Sequence, residues 1–423
     1  MLKKYLIRKK NFILLVFLLN IALAQDSKIR INTTFNPSNS TYWWLEKNNF
    51  GIQPEKIAFF INWEFQKSNT EYVVNLFNQN FGQKVYFNQT FIKHNFSDKT
   101  FLRAGRYYRD FSTYLNDELS SGSMLVSTNA RPIDKIGFVT SIEMKRNKKF
   151  NFKFGMSHGF FEKENYYPKA PFLHEKFLYL NINKKNYEYG FGFVHEAMWG
   201  GTTVEGLGAG PQPSTFRDFL KIMLSADGPD DGGKHPNALG SHLGIWDFYF
   251  LLHDNKKVLK FYYQHYFEDT SSLRFANKTD GLWGLELTNY IPNTNLLFEY
   301  LNTSNAYLNP PYQGDRYYWN YQYRLGWKHN GNILGNPFVN TYRTDNSNYL
   351  QFADLTKLIH LGIDGEYSSF FYKMKASRRI NTHDIIRYKI ELGKSINKRI
   401  KMSLFSVNDS NGNGLGLSIF SSF

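Results

Sequence analysis

Apolar and polar residues alternate with period two along much of the chain, most cleanly in its second half. In 317–328 one face would carry Tyr317, Trp319, Tyr321, Tyr323, Leu325 and Trp327, and the other Tyr318, Asn320, Gln322, Arg324 and Lys328. In 384–392, Ile386, Tyr388, Ile390 and Leu392 oppose Arg387, Lys389 and Glu391, and in 367–375, Phe370, Tyr372 and Met374 oppose Lys373 and Lys375. Gly244, Trp246, Phe248, Phe250 and Leu252 oppose Asp247. Successive strand side chains point to opposite faces, so each run predicts a strand with one apolar and one polar side. The last run, Leu415, Leu417, Ile419 and Phe423, closes the sequence on an aromatic residue. An exposed apolar stripe there needs an apolar solvent, and lipid around a closed barrel supplies one.

The connections alternate in length. Short ones fall near 147–149, 184–186, 254–256, 292–294 and 395–398; longer ones occupy 161–174, 199–241, 269–280, 302–313 and 345–354. Outer-membrane barrels have short periplasmic turns and long external loops. Counting back from a periplasmic Phe423 places every long segment outside. The expectation is an all-β transmembrane antiparallel barrel over 56–423, of about eighteen to twenty strands depending on how 72–77 and the break at Arg131-Pro132 are counted. Residues 25–55 would form a periplasmic or plug segment, with no second domain or internal repeat. One helix is predicted, inside the longest external segment. Thr215 and Asp218 read as a cap, Phe216, Phe219, Leu220 and Met223 make one stripe, and 226–229 ends it. Such a helix could fold over or into the barrel mouth.

The start of the sequence agrees with export. Lys3, Lys4, Arg8, Lys9 and Lys10 precede an apolar core from Phe12 to Leu19, and Ala22-Leu23-Ala24 reads as a cleavage site, so residues 1–24 are a signal peptide and Gln25 the mature N-terminus. The core is too short to span about 30 Å of hydrocarbon as a helix. With the closing strand, which the barrel assembly machinery would read, this places the protein in a bacterial outer membrane beside lipid and lipopolysaccharide. Aromatics make up 18% of residues, enough to furnish two interfacial girdles. There is no Cys, which excludes disulfides, thiol catalysis and thiolate metal sites. The formal charge of +15 falls to +10 without the five leader cations, so anionic partners such as acidic polysaccharide or lipopolysaccharide phosphate are expected, and nucleic acid is not.

Several stretches resemble the Wzi family of outer-membrane capsule-assembly proteins in its Bacteroidota form. They are 42–48 (Tyr-Trp-Trp-Leu-Glu-Lys-Asn) with Gly51, 119–124 running to 129–132, 174–177, 195–201, 214–219, 237–244 and 280–284, in the family's order. The resemblance implies an eighteen-stranded barrel acting as a non-catalytic lectin that holds capsular polysaccharide at the cell surface. The best-known members carry a periplasmic helical bundle ahead of the barrel, and 25–56 is too short for one.

A site for an acidic glycan needs an aromatic platform, hydroxyl-binding polar groups and cations. The 199–241 segment offers Trp199, Phe216, Arg217, Asp218, Asp230, Asp231, Lys234 and His235. Alternatively, Trp199 and Phe216 pack the loop onto the barrel and Arg217 pairs with an internal carboxylate. A second candidate is a basic lumenal set, Arg324, Lys328, Lys373, Lys375, Arg387, Lys389 and Lys401, read either as an electropositive mouth or as one side of a salt-bridge lattice with carboxylates such as Glu391. No metal or cofactor is expected. The acidic turn at 227–233 lacks the ligand spacing of a calcium loop, and His195-Glu196 has no second His four residues on, so His195 reads as a structural hydrogen-bonder. Two rival functions stand beside the lectin: an anion- or glycan-selective porin, and an outer-membrane hydrolase, for which no spacing brings catalytic groups together.

Overall fold

A computed structural model describes residues 27–36, 41–144, 149–205, 208–228, 238–268, 270–305, 317–339, 341–343, 349, 351–382 and 384–423. The expected signal peptide and cleavage site lie outside them, as do Asp230, Asp231, Lys234 and His235.

Eighteen strands form one sheet. They are β1 (Ser27–Phe35), β2 (Ile57–Lys67), β3 (Thr70–Gln79), β4 (Lys84–Ser97), β5 (Thr100–Arg106) and β6 (Asp134–Glu143). Next come β7 (Phe150–Phe160), β8 (Phe172–Lys184), β9 (Tyr187–Trp199), β10 (Ser241–Asp254), β11 (Lys257–Phe267) and β12 (Gly281–Thr288). The rest are β13 (Thr294–Asn302), β14 (Lys357–Tyr367), β15 (Phe370–Arg379), β16 (Arg387–Ser395), β17 (Ile400–Asp409) and β18 (Gly412–Ser422). Each pairs antiparallel with its sequence neighbours, and β18 returns to β1 with Arg30 opposite Ser422 and Phe35 opposite Leu417. Closure leaves no edge, so the strand ladders supply backbone partners around the whole wall without water.

The outer face is set by the period-two positions. Phe154 and Met156 on β7, Leu178 on β8, Phe191 on β9, Leu392 on β16, Leu404 on β17 and Leu415 on β18 are all exposed. Turns at the end where β1 begins and β18 finishes are tight, as at 67–70, 184–187 and 254–257. The long connections lie at the other end, the longest running from Asn302 to Lys357. By the rule for outer-membrane barrels the tight end is periplasmic and the other external. Among the described residues no helix is long and apolar enough to cross a membrane.

Two expectations are corrected. The barrel begins at Ser27, not at 56, because β1 pairs with both β2 and β18 over most of its length. Of the supposed N-terminal segment, residues 41–54 are inserted into the lumen. The second correction is larger. Residues 317–328 form no wall strand. They enter the lumen as turns, with Tyr318 and Gly326 at positive φ, and Tyr317, Tyr318, Tyr323 and Trp327 are buried. Their polar tips find partners there that lipid lacks. Tyr317 Oη donates to Asp280 (2.9 Å), Tyr323 Oη to the Gly200 carbonyl (3.0 Å) and Trp327 Nε1 to Ser241 Oγ (2.9 Å). Alternation reports a pleat only where the ladder continues, and here the aromatic pattern serves packing.

Three segments fill the lumen: 41–54 with the one-turn helix α1 (Trp43–Glu46), 107–133 between β5 and β6, and 317–339. Trp44, Phe111, Leu119, Met124, Tyr318, Trp327 and Phe338 build one apolar core with inward wall residues such as Phe177, Tyr262 and Leu297. Asn48 Nδ2 donates to the Ser121 carbonyl (2.8 Å), Asn336 Nδ2 to that of Gly122 (2.7 Å) and Asn129 Nδ2 to that of Ile333 (2.9 Å). All three segments meet at Gly122, whose φ is +120°; a Cβ there would sit 3.0 Å from Pro337, 3.2 Å from Asn48 and 3.2 Å from Ser127. Only Gly adopts that backbone at such a junction without cost.

This assignment of faces has a direct check. Leu404→Arg places a charge on the lipid face at mid-strand and should cost about 2–4 kcal/mol of barrel stability in vesicles. Tyr321→Arg, off the wall, should carry no membrane penalty. Equal costs in denaturant unfolding from lipid would show that 317–328 does face lipid.

Candidate functional site

The inserted segments are tied to the wall by a band of inward polar residues. Asp247 on β10 accepts from Ser112 Oγ (2.5 Å), Tyr179 Oη (2.5 Å) and Tyr114 Oη. Glu299 on β13 accepts from Ser120 Oγ (2.6 Å), the Ser121 N–H (2.7 Å) and Tyr262 Oη (2.5 Å). Glu286 on β12 accepts from Asn116 Nδ2 (3.0 Å) and Lys260 Nζ (2.6 Å). Gln264 Oε1 on β11 accepts the Met124 N–H (3.0 Å). These bonds join charged or polar wall groups to a loop in a low-dielectric space, where leaving one unmade costs most. They hold 107–133 across the lumen.

The basic lumenal residues divide between two places. Lys373, Lys375, Lys389 and Lys401 line a cavity of about 650 Å³ beneath the inserted segments, with Arg30, Asp117, Glu118 and Glu391. Lys373 pairs with Glu118 (2.7 Å) and Lys401 with Glu366 (2.9 Å). The Lys373 ammonium holds the Glu118 carboxyl below its usual range. Arg387 pairs with Asp384 at the external end of β16. Arg324 and Lys328 are not on the wall, a correction that follows from the turn structure of 317–328. Arg324 Nη1 pairs with Glu205 Oε1 at 2.7 Å in the external connections.

A separate groove of about 560 Å³ lies at the external end between 41–56, the β3–β4 connection and 107–133. Tyr86, Arg131, Lys84, Asn80, Gln53 and Asn330 are among its lining. The Arg131 guanidinium sits 5.3 Å from the Tyr86 ring centroid, and no described carboxylate lies in ion-pair range of it. The groove thus combines an aromatic ring, amides and a cation. It was not read from the sequence because its members come from segments far apart along the chain.

The predicted helix α2 (Phe216–Leu224) forms with the expected capping box. Thr215 Oγ1 accepts the Asp218 N–H (3.3 Å), and Asp218 accepts the Thr215 N–H (2.8 Å). Its position differs from the expectation. Trp199, Ala197, His195 and His174 alternate in phase with lipid-facing Phe191 and Leu178, so they point outward, and α2 covers them. Ile222 packs with Ala197, Trp199 and Leu239, and Phe219 lies 6.0 Å from Trp199 and 5.6 Å from His174, centroid to centroid. The helix therefore clasps the external edge of the outer wall and does not enter the mouth. Phe216, Leu220 and Leu224 are exposed and continue the lipid-facing band, while Arg217 and Lys221 share the remaining face. Of the predicted glycan-binding residues, Trp199 is buried under the helix and Asp218 completes its capping box with Thr215; Phe216 and Arg217 are exposed. His195 bonds His242 (2.9 Å) and Ser225 (3.2 Å), the structural role its position suggested.

Asp280, at the start of β12, accepts the Asn305 N–H (3.0 Å) and Tyr317 Oη and so fixes the third inserted segment. Burial pushes its carboxyl up to about 6. Among the described residues no three His, Asp or Glu side chains are placed to hold a metal ion.

A family model for the capsule assembly protein Wzi matches residues 55–347, well over half of the chain. No curated protein matches. Solved structures with similarity include a triple mutant of the Rhodopseudomonas blastica porin, 6% identical with a TM-score of 0.40, covering 94% of this chain and 99% of that one. Pseudomonas aeruginosa OccK5 (OpdH) is 8% identical with a TM-score of 0.41, covering 94% of this chain and 98% of that one.

Two outcomes follow from this geometry. In planar bilayers the intact barrel should conduct little; removing 112–130 should raise conductance, whereas removing 214–226 should not. A large steady conductance in the intact protein would contradict the filled lumen. The second outcome concerns pH. Because the folded-state pKa of Asp280 lies above its unfolded value of 3.8, the folded state binds the proton more tightly. Its contribution is present at low pH and is lost as pH rises from about 4 to about 6, by about 3 kcal/mol at most. Asp280→Asn should flatten that part of the thermal-stability profile; an unchanged profile would exclude Asp280 as its source.

Proposed function

The chain belongs to the capsule assembly protein Wzi family, and we propose that it binds surface polysaccharide at its external end and retains it there without catalysis. The observation that carries this reading is the filled lumen: three interlocked segments cross the barrel among the described residues, which leaves the external rim as the surface a long polymer can lie on. The groove around Tyr86 and Arg131 supplies the three elements a glycan site needs, a ring, amides and a cation. Arg217 and Lys221 on α2 lie at the level where the lipid band ends. There they would meet lipopolysaccharide phosphate beside the bound glycan.

A long polymer would make many weak contacts. Affinity should rise with chain length as rebinding becomes intramolecular, and should fall with added salt, since exposed ionic contacts are screened with a Debye length of about 8 Å at physiological strength. Tyr86→Ala and Arg131→Ala should each shed polysaccharide from cells while the amount of folded barrel in the outer membrane stays at the parental level. Retained and shed capsule are measured together for each variant. Parental retention in both, at equal protein level, would remove the groove from consideration. Unchanged attachment after loss of the whole protein would remove the function.

A further inference from the structure

Lys375 and Lys389 stand directly opposite each other on β15 and β16, on the face that also carries Lys373 and Glu391. Both point into the 650 Å³ cavity. Lys375 lies over the Trp44 ring at 4.2 Å and Lys389 over Phe405 at 5.3 Å. Like charges directly opposite on a sheet destabilise it, and enclosing unpaired charge costs more still. The local carboxylates do not resolve this. Glu118 is paired with Lys373, and Asp117 with Arg109 (2.8 Å). Glu391 accepts from Ser403 Oγ (2.6 Å) and is in ion-pair range of neither Lys375 nor Lys389 among the described residues. Among the described residues neither Lys375 nor Lys389 thus has a carboxylate in ion-pair range, although the fold holds the two side by side.

The rest of the lining is that of a ligand site. Asn32 and Asn48 present buried amide oxygens with no hydrogen-bond partner among the described residues, and the volume exceeds what a bare ion fills. A second cavity of about 550 Å³ shares Lys373, Glu391 and Lys401 and reaches Asn289 and Asn293 at the periplasmic turns. The inserted segments form the roof, so access is from the periplasm.

We propose that this chamber is an oxyanion site, with Lys375 and Lys389 jointly holding a phosphate or carboxylate group borne by a polar molecule that enters from the periplasmic side. The two ammonium groups supply charge-assisted hydrogen bonds to one anion, the aromatic rings fix the lysine stems, and the amides meet neighbouring hydroxyls. The site is distinct from the external groove and does not rest on the polysaccharide reading.

The test uses the full barrel purified in phosphate-free detergent buffer. Binding of inorganic phosphate, trigalacturonate and neutral maltotriose is measured by titration calorimetry. At least one anion should bind and maltotriose should not. Preference for phosphate indicates a phosphoryl source, and preference for trigalacturonate a sugar acid. Lys375→Met and Lys389→Met should each weaken anion binding about tenfold or more. Because each variant also relieves the like-charge contact, its melting temperature without anion should equal or exceed that of the parent. The site is refuted if the parent binds neither anion, if both variants bind as the parent does, or if the variants melt earlier in anion-free buffer. Capsule retention is scored separately, so loss of this site and loss of the external function are told apart.

Discussion

Eighteen strands enclose more space than the side chains of their own wall can fill. The rest of this structure answers that constraint. The lumen is filled by chain, and chain brings backbone N–H and C=O groups that need partners in a space with little water. On the wall, Gln264 and Glu299 accept the Met124 and Ser121 N–H groups of 107–133, while Asp247 and Glu286 take its side-chain donors Ser112 and Asn116. The largest apolar core of the protein thus lies inside the barrel, between loop and wall. That inverts a soluble sandwich only in location, since the packing rules are the same.

Much of this was legible. Period two and the alternation of connection lengths led to a closed barrel of the right size, and the Thr215–Asp218 cap led to α2. The errors share one cause. Both 317–328 and α2 carry strong local patterns, but a pattern says which side of an element is apolar and not what lies beside it. The aromatics of 317–328 face a plug core, and the stripe of α2 faces partly the outer wall and partly the lipid band. Tyr and Trp are ambiguous in this respect, because each offers an apolar body and a polar tip that suits an interface or a buried network equally. Trp199 packs the loop onto the barrel, the alternative that its sequence setting left open. The external groove was invisible because Tyr86, Arg131 and Asn330 meet only through the fold.

Charge is distributed unevenly around the lumen. Strands β10 to β13 carry the acids that bind the inserted loop, whereas β15 to β17 carry Lys373, Lys375, Lys389 and Lys401. On the first side the inward acids Asp247, Glu286 and Glu299 are all bonded to the inserted loop. On the second the loop withdraws and leaves a chamber. This difference explains why the salt-bridge lattice expected for the basic residues is only half realised: Lys373 and Lys401 have carboxylate partners, while Lys375 and Lys389 rest on rings.

The carboxylates nearest in the fold, Glu118 on 107–133 and Glu366 on β14, pair with Lys373 and Lys401 and leave Lys375 and Lys389 without an ion pair among the described residues. The lysines instead stand opposite each other, and α1 places Trp44 against one of them from the same segment that helps seal the lumen. The roof of the chamber and the floor of the external groove are built from that common stretch, 41–54, with Asn48 and Asn49 below and Gln53 above. Occupation of either space therefore bears on the same few residues. Residues 107–133 reach both spaces as well, with Glu118 and Thr128 below and Arg131 above, so the two inserted segments together are the physical link between the periplasmic and external faces.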